Sequence, residues 1–196
     1  MHILKSFDKK NFDDLHLDIP SSVGEIKLLI LDDYYDFQDY KVKNLFANAD
    51  SYYPCFNDWY ESKLVKDITN NNHGYLYEHL DKKENELQAI DFPNGRFVLA
   101  ASVDNDLAGL SVLKKHPSEY KISTFYVDDK YSRLGLGTLL LNCSLSLLKE
   151  KDVNITVSEG ALDKMTPFLT KNGFKEYKSI VGEYMNNKKE THFVKK

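Results

Sequence analysis

The residues best suited to chemistry sit in one short run, Ser132-Arg133-Leu134-Gly135-Leu136-Gly137-Thr138, between an extended segment and a strongly apolar one. Backbone N–H groups at a helix start have no intrahelical acceptor and together carry partial positive charge. A glycine-rich turn at that point can therefore hold a pyrophosphate. Gly135 and Gly137 permit close approach, and Arg133 adds a fixed positive charge. Two familiar phosphate-binding patterns do not fit. A Walker A loop needs Gly-Lys-Ser/Thr where this chain has Gly137-Thr138-Leu139, and a dinucleotide fingerprint needs GxGxxG within a βαβ unit.

The elements around this loop follow from apolar patterning. Three β-type runs, residues 96–103, 107–115 and 120–127, are separated by Asp104-Asn105-Asp106 and His116-Pro117-Ser118, turn residues that join antiparallel strands into a meander. After the loop, residues 138–149 form the most apolar helical segment, and such broad apolarity predicts packing against a sheet. A short strand at 154–157, a helix at 163–172 stopped by Gly173, and two strands around residues 185–189 complete the C-terminal part. Upstream, Pro20-Ser21-Ser22-Val23-Gly24 separates a polar lead segment, 1–24, from a buried strand at 25–31. Asp32 is expected to cap a helix running to Ala49, with Tyr35, Phe37, Val42, Leu45 and Phe46 as its apolar positions. A second helix follows Pro54 through Trp59, Leu64 and Val65, and a polar stretch holding a short helix at 75–80 closes this part.

At 196 residues, with 42% hydrophobic and 29% charged positions, the chain reads as one globular domain. It lacks a signal-peptide core and any apolar run of membrane-spanning length, so a cytoplasmic protein without membrane association is expected. Cys55 and Cys143 are read as reduced thiols, and the six histidines lack metal-ligand spacing, so no metal site is expected. Residues 1–95 hold 10 Lys against 18 Asp or Glu, whereas 96–196 hold 16 Lys or Arg against 12. Solvated helix faces account for that asymmetry; so does an anionic ligand on the C-terminal part with a cationic one on the N-terminal part.

The segment resembles motif A of the GNAT superfamily (Gcn5-related N-acetyltransferases), a strand followed by Q/R-x-x-G-x-G/A and a helix. The match is Ser132-Arg133-Leu134-Gly135-Leu136-Gly137, introduced by Val127-Asp128-Asp129-Lys130-Tyr131, and Lys171-Asn172-Gly173-Phe174 is similar to the family's x-x-G-F ending of its fourth helix. The resemblance implies an α/β (α+β) fold with a central mixed, mostly antiparallel sheet and helices on both faces. It implies a GNAT-like acyltransferase domain over 25–196, with 32–95 as a helical acceptor-side insert. It also implies acetyl-CoA as co-substrate: Phe125, Tyr126 and Val127 would meet the pantetheine arm and thioester, and the amides of Arg133, Leu134, Gly135, Leu136, Gly137 and Thr138 would hold the pyrophosphate. A homodimer using the C-terminal edge is a further family expectation.

Two positions depart from the pattern. Ser132 stands where the family has Gln or Arg. Leu169 stands where many members carry the tyrosine that protonates the departing thiolate, so Tyr184, placed in the strand after Phe174, is the replacement general acid. The attacking amine must be neutral, so a base is needed. Glu119 is that candidate, because strict alternation puts it on one face with Lys121, Ser123 and Phe125. His116 and Glu159 stand behind it. The acceptor is a small-molecule or protein primary amine, with the acidic and aromatic residues Asp32, Asp33, Tyr34, Tyr35, Tyr52, Tyr53 and Trp59 suited to a cation. A toxin-type enzyme acetylating aminoacyl-tRNA fits less well with the acidic N-terminal half, so a nucleic-acid partner is not expected. A CoA-binding module without turnover is the remaining alternative.

Overall fold

The computed structural model describes residues 2–7, 24–31, 36–50, 60–66, 94–148 and 152–196. Its centre is an eight-stranded sheet in the order β1-β2-β3-β4-β5-β6-β8-β7, formed by β1 (His2–Phe7), β2 (Ile26–Leu31), β3 (Gly95–Val103), β4 (Asp106–His116), β5 (Glu119–Val127), β6 (Val153–Ser158), β7 (Lys175–Val181) and β8 (Lys189–Lys195). Every neighbouring pair is antiparallel except β5 and β6. The lead segment is thus partly inside the fold, since His2–Phe7 pairs with β2 at the sheet edge.

Two apolar layers sandwich the sheet, and the near-continuous apolar runs of β2 and β3 follow from having both faces covered. On one face Ile26, Leu28, Ile30, Phe97, Leu99, Leu113 and Ile122 meet α2 (Leu136–Leu148) and the half-buried side chains of α3 (Leu162–Lys171). On the other, Leu29, Leu31, Val98, Ala100, Leu110 and Val112 meet α1 (Tyr40–Asp50) and a π-helical turn, Tyr60–Leu64. That second layer draws on β2, β3 and β4, with Tyr126 as its β5 contribution; β6, β7 and β8 add nothing to it.

Local chemistry moves several expected boundaries. Helix α1 begins at Tyr40, because residues 36–38 form a 3-10 turn that buries Phe37, and the Asp39 carboxylate accepts the Lys41 N–H at 2.7 Å as the cap. Asp32, Tyr35, the stretch before Tyr60 and the polar region up to residue 93 lie outside the described residues. Helix α2 begins at Leu136, two residues early, because Gly135 takes φ +76° and its carbonyl accepts the first helical bond, from Leu139 N–H at 3.0 Å.

Helix α3 ends as its sequence requires. Gly173 takes φ +84°, Phe174 N–H reaches back to the Leu169 carbonyl and Gly173 N–H to that of Thr170, while Leu169 and Phe174 pack together in the core. A Cβ at Gly173 meets only Lys195 Nζ, at 3.0 Å at the end of a long side chain, so the backbone angle sets most of the cost of substitution. Gly173→Ala is expected to lower unfolding free energy by about 1 kcal/mol, read as a lower urea midpoint at unchanged slope.

Candidate functional site

The site grows from the way β5 leaves its neighbour. β5 pairs with β4 from end to end, but with β6 only at Lys121↔Asn154 and Ile122↔Ile155. Beyond Ile122 the two parallel strands share no further pairs, so the β6-facing edge of residues 123–127 borders a split rather than a strand. Phe125, Tyr126 and Val127 lie along that split, and the glycine loop follows at its end.

The loop is held from below. Asp128 caps a 3-10 turn, Asp129–Tyr131, by accepting the Lys130 N–H at 2.9 Å, and Tyr131 is buried in the core under it. Asp129 is paired with Lys164 of α3. Arg133 and Gly135 then both take positive φ, 63° and 76°, turning the chain sharply into α2. The amides of Leu136, Gly137 and Thr138 precede the first helical bond and so have no intrahelical acceptor. Arg133 is exposed and has no ion-pair partner among the described residues. A Cβ on Gly137 would meet Phe168 at 3.7 Å and Val127 at 3.9 Å, ordinary contact distances, so the protein's own packing does not demand glycine there. Phe168 also stacks on Phe125 at 5.7 Å between centroids, which ties α3 to β5. Three backbone donors, an exposed cation and a glycine with room beside it can take up an anionic group of diphosphate size.

The acid–base residues need correction. A bulge lies between the pairs Val112↔Thr124 and Leu113↔Ile122, so Ser123 is an extra residue in β5 and alternation reverses there. Phe125 consequently joins Tyr120 and Val127 on the face covered by α2 and α3, whereas Glu119 lies with Lys114 and Lys121 on the opposite one. Glu119 does not share a face with Phe125. Its carboxylate is engaged by Lys114. Burial works against its charge, but the Lys114 hydrogen bond and the charges of Lys121, Lys114 and Arg96 outweigh that and hold the carboxyl below its ordinary value, away from the range a base needs.

Tyr184 sits in the loop between β7 and β8, not in a strand, and is half exposed. Its Oη accepts a hydrogen bond from Lys121 Nζ at 2.7 Å, which leaves the phenolic hydrogen available to another acceptor. Leu169 is fully buried in the core, and its side chain has no proton to give. Among the described residues His116 bonds only Ser118, at the far hairpin end, and Glu159 is exposed.

Residues the sequence reading passed over complete this face. Arg96, Lys114 and Lys121 form a row of cations across β3, β4 and β5, with Arg96 donating to the bulge residue Ser123 at 3.0 Å. His192 is buried, with Nε2 bonded to Glu183 and Nδ1 3.4 Å from Thr156. Glu190 is 1% exposed, and neither carboxylate oxygen has a hydrogen-bond partner among the described residues. Burial, the largest influence, together with Glu183 pushes its carboxyl up, only partly offset by Lys121. As the second residue after a turn, Glu190 carries no sequence mark of burial. Among the described residues no helix has the length and apolarity to cross a membrane, and no three His, Cys, Asp or Glu side chains could jointly hold a metal ion. Cys143 is buried as a free thiol, and Cys55 lies outside the described residues.

Comparison with known proteins agrees with this geometry. The Acetyltransferase (GNAT) family model matches residues 47–174. The fold is similar to a putative acetyltransferase of the GNAT family from Desulfovibrio desulfuricans, 13% identical, covering 86% of this chain and 97% of that one with a TM-score of 0.58. It is also similar to the PaiA N-acetyltransferase of Thermoplasma acidophilum in complex with coenzyme A, 15% identical, covering 84% and 97% with a TM-score of 0.55. No curated protein matches. A family model that spans most of the chain, meeting an element order and a glycine loop read independently, places this protein in the acetyltransferase (GNAT) family.

Proposed function

We propose that this acetyltransferase moves an acetyl group from acetyl-CoA to a primary amine by direct attack within a ternary complex. The observation that carries the reading is the junction of a split sheet edge with a helix start rich in unbonded amides. The amides of residues 133–138 and the Arg133 guanidinium hold the diphosphate. The main chain of Phe125, Tyr126 and Val127 lines the split, where fixed N–H donors orient the thioester and stabilise the oxyanion that forms as the amine adds. Acetyl-CoA supplies the activated acyl carbon and a thiolate leaving group. Tyr184, whose oxygen is already engaged by Lys121, gives its proton to that thiolate. In this arrangement Glu119 serves chiefly to balance Lys114 and keep Lys121 in place.

The amine enters from the face opposite α2 and α3, the one bearing Lys121, Tyr184 and Glu190, because beyond β4 and Tyr126 that face has no described apolar cover. A small-molecule amine and a lysine side chain both satisfy this chemistry.

The direct test is thiol release from acetyl-CoA with a polyamine, an aminoglycoside, a lysine-bearing peptide and an aminoacyl-tRNA offered separately. Release with one of the first three supports the reading and names the acceptor class. Release with aminoacyl-tRNA alone replaces it, and acetyl-CoA binding without release in any pool marks a silent module. Gly137→Ala is expected to leave the protein as stable as before or up to about 1 kcal/mol more so, while acetyl-CoA binds about tenfold more weakly by titration calorimetry. Tyr184→Phe is expected to lower kcat by about 100-fold with little change in acetyl-CoA affinity, since only the phenolic proton is removed.

A further inference from the structure

A carboxylate buried without a hydrogen-bond partner is costly, and a fold retains one where a ligand completes it. Glu190 is such a group: 1% exposed, with both oxygens unpartnered among the described residues. Its place in the sheet gives the reason. Glu190 pairs with Ser158, the last residue of β6. Carrying the Ile122↔Ile155 register forward, with the extra Ser123 allowed for, brings Ser158 level with Tyr126 across the split, and Glu190, paired with Ser158, stands one strand spacing, about 5 Å, behind the split's far wall. It shares a sheet face with Thr156 and His192, opposite the face that Val153, Ile155 and Val157 present to the core. This is also the face of Lys121 and Tyr184.

We propose that Glu190 is the general base of the acetyl transfer, the group that takes the proton from the incoming ammonium. The inference rests on the acyl-transfer reading above and deepens it by assigning the base. The acceptor docks as R–NH3+ and gives one proton to the Glu190 carboxylate. The freed lone pair attacks the thioester carbonyl carbon to form the C–N bond, and the tetrahedral adduct collapses with cleavage of C–S. The sulfur leaves with the Tyr184 proton, the second amine proton returns to Tyr184, and Glu190 releases its proton to solvent. One amide, one thiol and one proton result.

The charged and titratable groups facing Glu190 among the described residues are Lys121 on β5, His192 on β8, Lys178 and Tyr177 on β7, and Glu183 and Tyr184 in the loop between them. His192 is engaged by Glu183 and Lys121 by Tyr184, and neither hydrogen-bonds Glu190, although the Lys121 charge still favours its ionised form. A cationic amine entering here meets a carboxylate that gains a partner only when the amine arrives. This favours primary alkylamines over neutral nucleophiles.

The experiment compares Glu190→Gln with the wild-type chain, using a polyamine, an aminoglycoside and a lysine-bearing peptide as acceptors. Expected for E190Q is a loss in kcat/KM of about 100-fold or more at pH 7, with acetyl-CoA affinity unchanged within about twofold. The acid limb of the pH profile should move up toward the acceptor's own pKa, about 10.4 for lysine. Stability gives a second reading. The folded carboxyl holds its proton above the ordinary 4.5, so between that pH and its raised value the folded state binds more protons than the unfolded state. Wild-type stability should therefore fall as pH rises through that window, while E190Q should not show the fall and should melt at an equal or higher temperature near pH 7. A lower melting temperature with an unmoved acid limb would mean that Glu190 is structural, and would overturn the proposal while leaving acyl transfer intact. Failure of the wild-type chain to release thiol with any of the three amines would overturn both.

Discussion

The separation of β5 from β6 after only two paired residues is the constraint on which the rest depends. Strand edges are ordinarily paired or covered, because exposed N–H and C=O groups invite association with other chains. Here one edge is opened inside the sheet, a position reachable by a narrow ligand but not by another strand. The remaining structure keeps that opening in place. The continuous β4–β5 ladder holds one wall, the β6–β8–β7 unit holds the other, and α2 and α3 clamp the two across a single face, with Phe168 resting on Phe125.

The two faces consequently do different work. Toward α2 and α3 lies a large apolar core with few polar atoms, and the Ser144 hydroxyl there is satisfied by Ser111 and its own helix. Burial of that layer, at about 25 cal/mol per Å², supplies most of the stability that fixes the split. Away from those helices, over β5, β6 and β8, Glu119, Lys121 and His192 are in paired contacts and Glu190 is the exception. A polar sheet face is poor material for a core, and its cost is carried by the opposite layer.

Much of the fold was legible because its signals are local. The meander, the apolar helix after the glycine loop, the Gly173 stop and the C-terminal hairpin each rest on turn residues or periodicity within a few positions. The glycine loop before α2 was legible for the same reason: its turn is made by backbone angles within the segment that contains it. The face of Glu119 was not. One extra residue at Ser123 inverted the alternation that had set Glu119 beside Phe125, and a bulge defined by register with β4 leaves no trace in β5 alone. Glu190 was hidden for a different reason. A glutamate just past a turn is usually solvated, and only the pairing of β8 between β6 and β7 buries it.

Glu119 and Glu190 illustrate how environment rather than residue type assigns a role. Both lie on the same face and both feel Lys121. Glu119 has Lys114 in direct contact and Arg96 behind it, so its charged state is favoured despite burial and its proton affinity falls. Glu190 is buried with Glu183 near it and no hydrogen-bond donor among the described residues, so burial outweighs the Lys121 charge and its proton affinity rises. A carboxylate already satisfied by lysine gains little by taking a proton from an ammonium, whereas one that lacks a partner gains both a proton and a hydrogen bond to the nitrogen it came from. Two carboxylates driven in opposite directions on one face are how a site separates a fixed counter-charge from a working base.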